Sequence, residues 1–431
     1  MRVLRMRQTA KIISTYTSDA SGVASALYEL GGMTVIHDAS GCNSTYNTHD
    51  EPRWYDMDSL VFISALTEME AVMGDDAKLV RDIAAAAKKL HPKFIALCGT
   101  PIPMMVGFDF RAVSSLVEQE TGIPAFGIPT NGMHTYVSGA GQAFSFLAER
   151  MAEERKDKVQ TVGCSVNLIG MTPLDYSVNG MAENLERTVE RAGFTVISNW
   201  AMNGGYAKTG EASVPSGKAE PDRIRRAAEA DVNLVVSSAG LMAAKVLKRR
   251  FGTPFITGVP VGQEGMEILS GKLHAAAEGK EATDAETEKP GGANGPDGAK
   301  EPDGAKEPGA IKEPADIVLI GEPVMQQSIA EALRRKTGRS VMVLSAIPPE
   351  DYGETEQKDS LLCGGSVFAE DEDDIIPHLS GVKTIIADPM YRPISPESAE
   401  FIPLPHEAFS GRIYREEIPD IVRGLPEEWK L

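Results

Sequence analysis

The chain has 431 residues, of which 42% are hydrophobic and 24% charged, and carries a formal net charge of −19. That length suffices for roughly two to four domains with buried cores, and the composition excludes a chain that is disordered throughout. The acidic balance excludes an extended nucleic-acid footprint, which needs a basic face against phosphates, and no run of ~18 apolar residues offers a membrane span.

In chain order, one grammar repeats. The basic stretch from Met1 to Thr15 leads into no apolar segment of signal-peptide length, so a cytoplasmic protein is expected. Lys11 to Ser14 reads as a short strand, and Val23 to Leu30 as a helix that buries Val23, Leu27 and Leu30 and stops at Gly31-Gly32. Thr34-Val35-Ile36 then forms a strand that ends in the turn residues Asp38, Ser40 and Gly41. Cys42 is thereby delivered just beyond a strand's carboxyl end, where open α/β sheets place their chemistry. Leu60 to Ile63 is the next strand. Asp75 caps a helix with Leu79, Ile83, Ala87 and Leu90 on one stripe. Phe94 to Leu97 is a buried strand running into Cys98-Gly-Thr100-Pro101. A helix burying Val113, Leu116 and Val117 ends at Gly122, and Ala125 to Ile128 returns as a strand.

The pattern restarts after the charged stretch Glu153 to Lys158. Val166 to Gly170 is a strand, Met171 to Asn179 a loop, and a helix with Met181, Leu185 and Val189 stops at Gly193 before the strand Phe194 to Ile197. Asp231 to Val236, Leu241 to Phe251 and Phe255-Ile256 give strand, helix and strand. Residues 276–314 break the pattern. They consist of Glu, Lys, Pro, Gly, Ala and Asp, repeat Pro-Asp-Gly-Ala-Lys at 296–300 and 302–306, and are expected to be a disordered acidic linker. A third unit runs from Ile317 to Ile320 through a helix with Ile329 and Leu333, ending near Gly338, to the strands Val341 to Leu344 and Val382 to Ala387. Strands alternating with helices imply parallel sheets of βαβ units. The expectation is an α/β protein of three Rossmann-like domains, at 1–160, 161–275 and 315–431, with the linker at 276–314.

Two nucleotide loops are absent. No Gly-x-Gly-x-x-Gly joins a strand to a helix, and no Gly-x-x-x-x-Gly-Lys-(Ser/Thr) occurs, so neither dinucleotide binding nor ATP hydrolysis has its phosphate-cradling backbone. The four cysteines, Cys42, Cys98, Cys164 and Cys363, are spaced too widely for a disulfide framework or a paired zinc knuckle. His37, Cys42 and His49, with Asp50 or Glu51, could meet around one ion, but their spacing fits no common zinc module. The run Asn43 to Asp58 is rich in polar and aromatic groups. It lines a cofactor or substrate pocket, or is a loop pinned by Trp54 and Tyr55 against the core.

His37-Asp-Ala-Ser-Gly-Cys42 is similar to the His-Gly-x-x-Gly-Cys element of nitrogenase component 1 proteins. Thr67-Glu68-Met69-Glu70, Val72-Met73-Gly74 and Lys78-Leu79 resemble that family's Thr-Glu-x-(Asp/Glu)-x-Val-Phe-Gly-Gly-x-x-Lys-Leu segment. The resemblance implies three Rossmann-like units, an iron–sulfur cluster held by Cys42, and electrons from a separate P-loop ATPase iron protein. Soft thiolates select such clusters, and a [4Fe–4S] cluster takes four. The family's element Thr-Cys-x-x-x-x-x-Gly-Asp-Asp, laid on Gly107-Phe108-Asp109, puts Pro101 in its ligand position. Cys98, three residues upstream, is a relocated ligand or a buried core thiol. Cys164 and Cys363 match no family ligand.

The shortage of thiolates implies an obligate dimer, with the same chain or a homologous subunit, sharing the cluster at the Cys42 region. On this basis Cys42 and Cys98 are the candidate metal ligands, and His37, Gly41, His49, Trp54 and Thr100 the candidate cofactor-binding residues. The family's catalytic metallocluster is held through a cysteine after an Asn-Leu-Val strand. Here that stretch is Asn233-Leu-Val-Val-Ser237, with serine in place of thiolate, so no molybdenum-type cofactor and no dinitrogen reduction are expected. Three functions stay open: an oxidoreductase subunit of unknown substrate, a cofactor or cluster scaffold of the same fold, and a small-molecule-binding Rossmann-like protein.

Overall fold

The computed structural model describes residues 11–12, 17–39, 51–55, 60–154, 163–200, 221–279, 314–353 and 366–431. Three parallel sheets carry the architecture, as expected. The first is built from β1 (Met33–His37), β2 (Val61–Ile63), β3 (Ile95–Gly99) and β4 (Ala125–Ile128) in the order β2-β1-β3-β4. Its helices are α1 (Asp19–Leu27), α2 (Glu68–Met73), α3 (Asp76–Leu90), α4 (Pro101–Met105), α5 (Phe110–Thr121) and α6 (Tyr136–Arg150).

The second sheet, ordered β6-β5-β7-β8, comprises β5 (Ser165–Ile169), β6 (Thr195–Asn199), β7 (Val232–Val235) and β8 (Phe255–Thr257). Between and after these strands come α7 (Pro173–Tyr176), α8 (Met181–Arg191), α9 (Pro221–Arg225), α10 (Leu241–Phe251) and α11 (Gly262–Ala277). The third sheet, β11-β10-β9-β12-β13, comprises β9 (Ile317–Ile320), β10 (Val341–Ser345), β11 (Ser366–Phe368), β12 (Thr384–Ala387) and β13 (Glu400–Pro403). Its helices are α12 (Pro323–Thr337), α13 (Glu372–Ile375) and α14 (Glu407–Ser410).

Local signals set most boundaries. Asp75 caps α3 by accepting the Lys78 N–H, and the Thr67–Glu70 capping box starts α2. Gly122, Gly252 and Gly338 end α5, α10 and α12 in the left-handed conformation. Several expectations are corrected. Leu116 and Leu90 are exposed, because Val113 and Val117, and Ile83 and Ala87, already fill the i, i+4 rows that face the sheet. The loop expected at 171–179 contains α7, and α11 continues through Ala277, burying Ala276, into the stretch assigned to the linker. Residues 280–313, and the strand expected at Lys11 to Ser14 beyond Ile12, lie outside the described residues.

One continuous apolar core joins all three sheets, and a smaller one lies between the first sheet and α3 and α5. Helix α6 runs through the larger core. It buries Tyr136, Val137, Ala140, Phe144 and Leu147, packing on α1 and on α10 of the second unit. Each such large side chain contributes roughly 1.5–3 kcal/mol on burial. The α1–α6 approach is closer than a Cβ permits. A Cβ at Gly22 would stand 2.0 Å from the Tyr136 carbonyl oxygen, and one at Gly139 1.8 Å from that of Asp19. The third unit is tied to the same place: the Asp351 carboxylate accepts from the Thr135 N–H at 2.8 Å and the Thr135 hydroxyl at 2.6 Å. None of the described helices is long and apolar enough to cross a membrane.

Candidate functional site

The carboxyl edge of the first sheet is the first candidate. Strand β1 ends in His37 and Asp38, both buried, and the described chain stops at Ala39. His37 Nδ1 lies 2.8 Å from Ser64 Oγ, just past β2, and its ring lies 4.2 Å from that of Phe108. Burial lowers the His37 pKa to about 4, so the ring is neutral near pH 7. The Thr100 hydroxyl, just past β3, donates to Asp38 Oδ2 at 2.5 Å, and the Gly99 N–H donates to Thr130 Oγ1 at 2.9 Å. The ends of neighbouring strands are thus stitched into a rigid platform. His37 and Thr100 belong to it; Gly41, Cys42, His49 and Cys363 lie outside the described residues.

Cys98 has the geometry of a core thiol. It sits fully buried on β3 within the large core, and burial pushes its pKa up to about 12. Cys164, half-buried just before β5, is pushed to about 11 for the same reason. Residues 51–55 are anchored, but by Arg53. Its fully buried guanidinium donates to Glu51, to Glu29 at 2.8 Å and to the Ser25 carbonyl at 2.6 Å, and stacks over Tyr28. Trp54 is half-buried and Tyr55 exposed, so Arg53 replaces them as the pin. Among the described residues no group of three or more His, Cys, Asp or Glu is arranged to hold a metal ion.

Around this platform several large apolar side chains are exposed. Helices α2 and α4 follow the carboxyl ends of β2 and β3, which flank β1. They expose Met69, Val72, Met73, Ile102 and Met105, the last at 80%, and Met133 is exposed beyond β4. The capping box and the Lys78–Glu70 ion pair stabilise α2 without any buried residue of its own.

A second constellation, not anticipated from the sequence, lies where the three units meet. Asp175, on α7, accepts from the Tyr136 hydroxyl at 2.5 Å, the Ser237 hydroxyl at 2.6 Å and the Thr172 hydroxyl at 3.0 Å. His406, just past β13, brings its Nε2 to 3.4 Å from Asp175 Oδ1. Glu322 caps α12, accepting from the Met325 and Ser238 N–H groups at 2.8 Å each, and burial with Asp175 nearby raises its pKa to about 7. Burial and the same carboxylate hold the Tyr136 hydroxyl protonated. A cavity of about 20 Å³ opens beside the cluster, lined by Asp175, Gln326 and His406 with apolar neighbours. No spacing signal marks these residues, since they come from segments far apart in the chain; the Ser237 position was the one clue.

The comparisons agree with this architecture. A family model described as nitrogenase component 1 type oxidoreductase matches residues 19–293. The nitrogenase molybdenum-iron protein alpha chain of Methanosarcina barkeri is 22% identical over 211 residues, 48% of this chain and 36% of that protein. The nitrogenase iron-molybdenum cofactor biosynthesis protein NifE of Klebsiella pneumoniae is 22% identical over 237 residues, 52% of this chain and 48% of that protein. These matches thus span less than half the length of either relative. A solved chain of nitrogenase Cp1 at pH 6.5 superposes with a TM-score of 0.65 at 16% identity, covering 99% of this chain and 97% of that one, and so shares its fold. With well over half its length matched by the family model, the chain belongs to the nitrogenase component 1 type oxidoreductases.

Proposed function

We propose that the chain is one subunit of a nitrogenase component 1-type assembly, in which Cys42 ligates an iron–sulfur cluster of the [4Fe–4S] type against a homologous subunit. Electrons reach it from a separate P-loop ATPase partner, and the substrate is one other than dinitrogen. The observation that carries the reading is the exposed Met- and Val-rich surface of α2 and α4 around the end of β1, the strand that leads to Cys42. Exposed apolar side chains on the two helices that flank one strand end support a protein interface there. When bound, the cluster supplies one-electron transfer. The chain's own share is to hold the loop: His37 stays neutral, and Asp38, Thr100 and Ser64 fix the strand ends.

With Cys98 packed in the core, a homodimer contributes two Cys42 thiolates to a cluster that takes four. A homologous subunit with further cysteines supplies the remainder, which favours a heterodimer. A second reading is a maturation scaffold that holds its cluster in transit, and the relatives named as cofactor biosynthesis proteins favour it. Iron and sulfide analysis of anaerobically purified assembly tests both. A stoichiometric cluster lost in Cys42→Ala and kept in Cys98→Ala supports the proposal, and its release to an apo-acceptor selects the scaffold. Full iron content in Cys42→Ala overturns both.

A further inference from the structure

At the seam between the second and third units, one residue is held in a backbone conformation that its own side chain resists. Ser177, which ends α7, has φ 53° and ψ −170°. A left-handed φ with an extended ψ is in practice glycine's, and another residue stays there only where its surroundings over-determine it. Ser177 is 1% exposed, and its hydroxyl donates to Glu407 Oε1 of α14 at 2.8 Å, a bond from the second unit to the third. Arg415 fixes that carboxylate by donating to both of its oxygens. On the N-terminal side the chain is anchored, since Tyr136 and Ser237 hold Asp175, and the Tyr176 hydroxyl donates to the Val236 carbonyl at 2.8 Å. On the C-terminal side Gly180, at φ 94° and with nothing within 4 Å of where a Cβ would stand, leaves the chain free to turn. We infer that residues 177–180 are a lid under tension. The Ser177–Glu407 bond holds it shut; when that bond parts, the Ser177 backbone relaxes, the lid swings away from the third unit, and Met181 and the junction cavity behind it are bared.

The position of the lid fits this action. The cavity has Asp175 and Met181 on its second-unit wall and His406, Phe409 and Ile418 on its third-unit wall. The lid lies in the chain between the first two, and Glu407 lies between His406 and Phe409, so the Ser177–Glu407 bond ties one wall to the other. Among the described residues the lid's only other hydrogen bond to the third unit runs from Asn179 Nδ2 to the Ile418 carbonyl at 2.9 Å, and Asn179 is exposed. Water competes for an exposed bond of that kind, so the strain at Ser177 is opposed in the main by one buried bond. A short segment with few buried contacts and a residue at each end that can absorb a backbone change is the kind that opens locally, without the rest of the domain.

The test is alkylation by iodoacetamide of the thiol introduced by Met181→Cys in the full chain, followed peptide by peptide in mass spectrometry, because Met181 is 1% exposed with the lid shut. Cys98, sealed in the core, reports global unfolding in the same sample. The introduced thiol should react at least about tenfold faster than Cys98. Adding Ser177→Ala, which removes the hydroxyl and keeps the strained Cβ, should speed it about tenfold further, equivalent to about 1.4 kcal/mol. Arg415→Gln, which loosens Glu407 and leaves Ser177 intact, should act in the same direction. Ser177→Gly, which removes the strain together with the hydroxyl, should react about threefold or more slower than Ser177→Ala. Equal rates at the introduced thiol and Cys98, no acceleration in Ser177→Ala, or a glycine variant as fast as the alanine one overturns the inference. Hydrogen exchange of the unsubstituted protein needs no variant to fold: the Asn184 N–H, bonded to the Gly180 carbonyl at 3.1 Å, should exchange faster than the amides of β5. Exchange of both only on global unfolding overturns the lid as well.

Discussion

The carboxyl edge of the first sheet and the three-unit junction are built from the same kind of parts, loops that leave the carboxyl ends of parallel strands, yet they invert each other. At the edge, methionine and valine side chains stand in solvent; at the junction, a carboxylate, a tyrosine, a histidine and a glutamate are sealed from it. Buried polar groups and exposed apolar patches are the informative exceptions to ordinary burial, and here they point in opposite directions. The edge leaves apolar side chains in solvent, and under the proposed function another subunit covers them. The junction is held mainly within the chain, because most of its polar atoms bond to one another, several of them across units.

The largest expected effect breaks the junction. Asp175→Ala leaves the Tyr136, Ser237 and Thr172 hydroxyls without their acceptor, and should cost about 3–5 kcal/mol in urea unfolding. Asp175→Asn, which keeps one acceptor oxygen, should cost less. A loss below about 1 kcal/mol for the alanine variant would remove the distinction between the two regions.

The next effect sharpens the contrast, because the two regions have opposite pH dependence. Glu322 has its folded pKa raised from 4.5 to about 7, so its contribution is fully present below pH 4.5 and is lost as pH rises through 7. His37 is lowered from 6.5 to about 4, so its contribution is present above pH 6.5 and is lost as pH falls through 4. The His37 swing is on the order of 3 kcal/mol. Denaturation series from pH 4 to 8 should show stability falling less with rising pH in Glu322→Gln, and falling less with acid in His37→Phe. Parallel curves for wild type and both variants would contradict the burial of these groups.

The smallest effect on stability concerns the edge. Met73→Glu with Met105→Glu should change unfolding free energy by less than about 0.5 kcal/mol, since both side chains are exposed. The same pair should weaken subunit association at least tenfold, about 1.4 kcal/mol, by sedimentation velocity. An unaltered assembly, or a wild-type protein that stays monomeric at high concentration, would show that the edge is no interface.

The sequence was legible where local chemistry decides structure. The bounds of α10 and β9 coincide with the apolar periodicity and its glycine stop, and the parallel three-sheet class follows from the alternation of elements. Helix α6 escaped notice because it is buried nearly all round and shows no polar face to set a period. The edge platform was half visible: His37 and Thr100 stand at strand ends where chemistry is expected, but that Asp38 joins them depends on the pairing of β1 with β3. The junction was hidden for the same reason in stronger form. Tyr136, Asp175, Glu322 and His406 lie in segments that follow strands of three different sheets, and only tertiary packing brings them together.

The crossing of α1 and α6 has a consequence for how this chain can change over generations. The atoms that a Cβ at Gly22 or Gly139 would strike are carbonyl oxygens of the main chain, which every amino acid carries. No replacement at Tyr136 or Asp19 can therefore make room, and the usual route by which a large residue is accommodated, a smaller one opposite, is closed. The two glycines can be exchanged only if the helices first move apart. That shift would also carry Tyr136 away from Asp175, so variation at this seam is tied to variation at the junction.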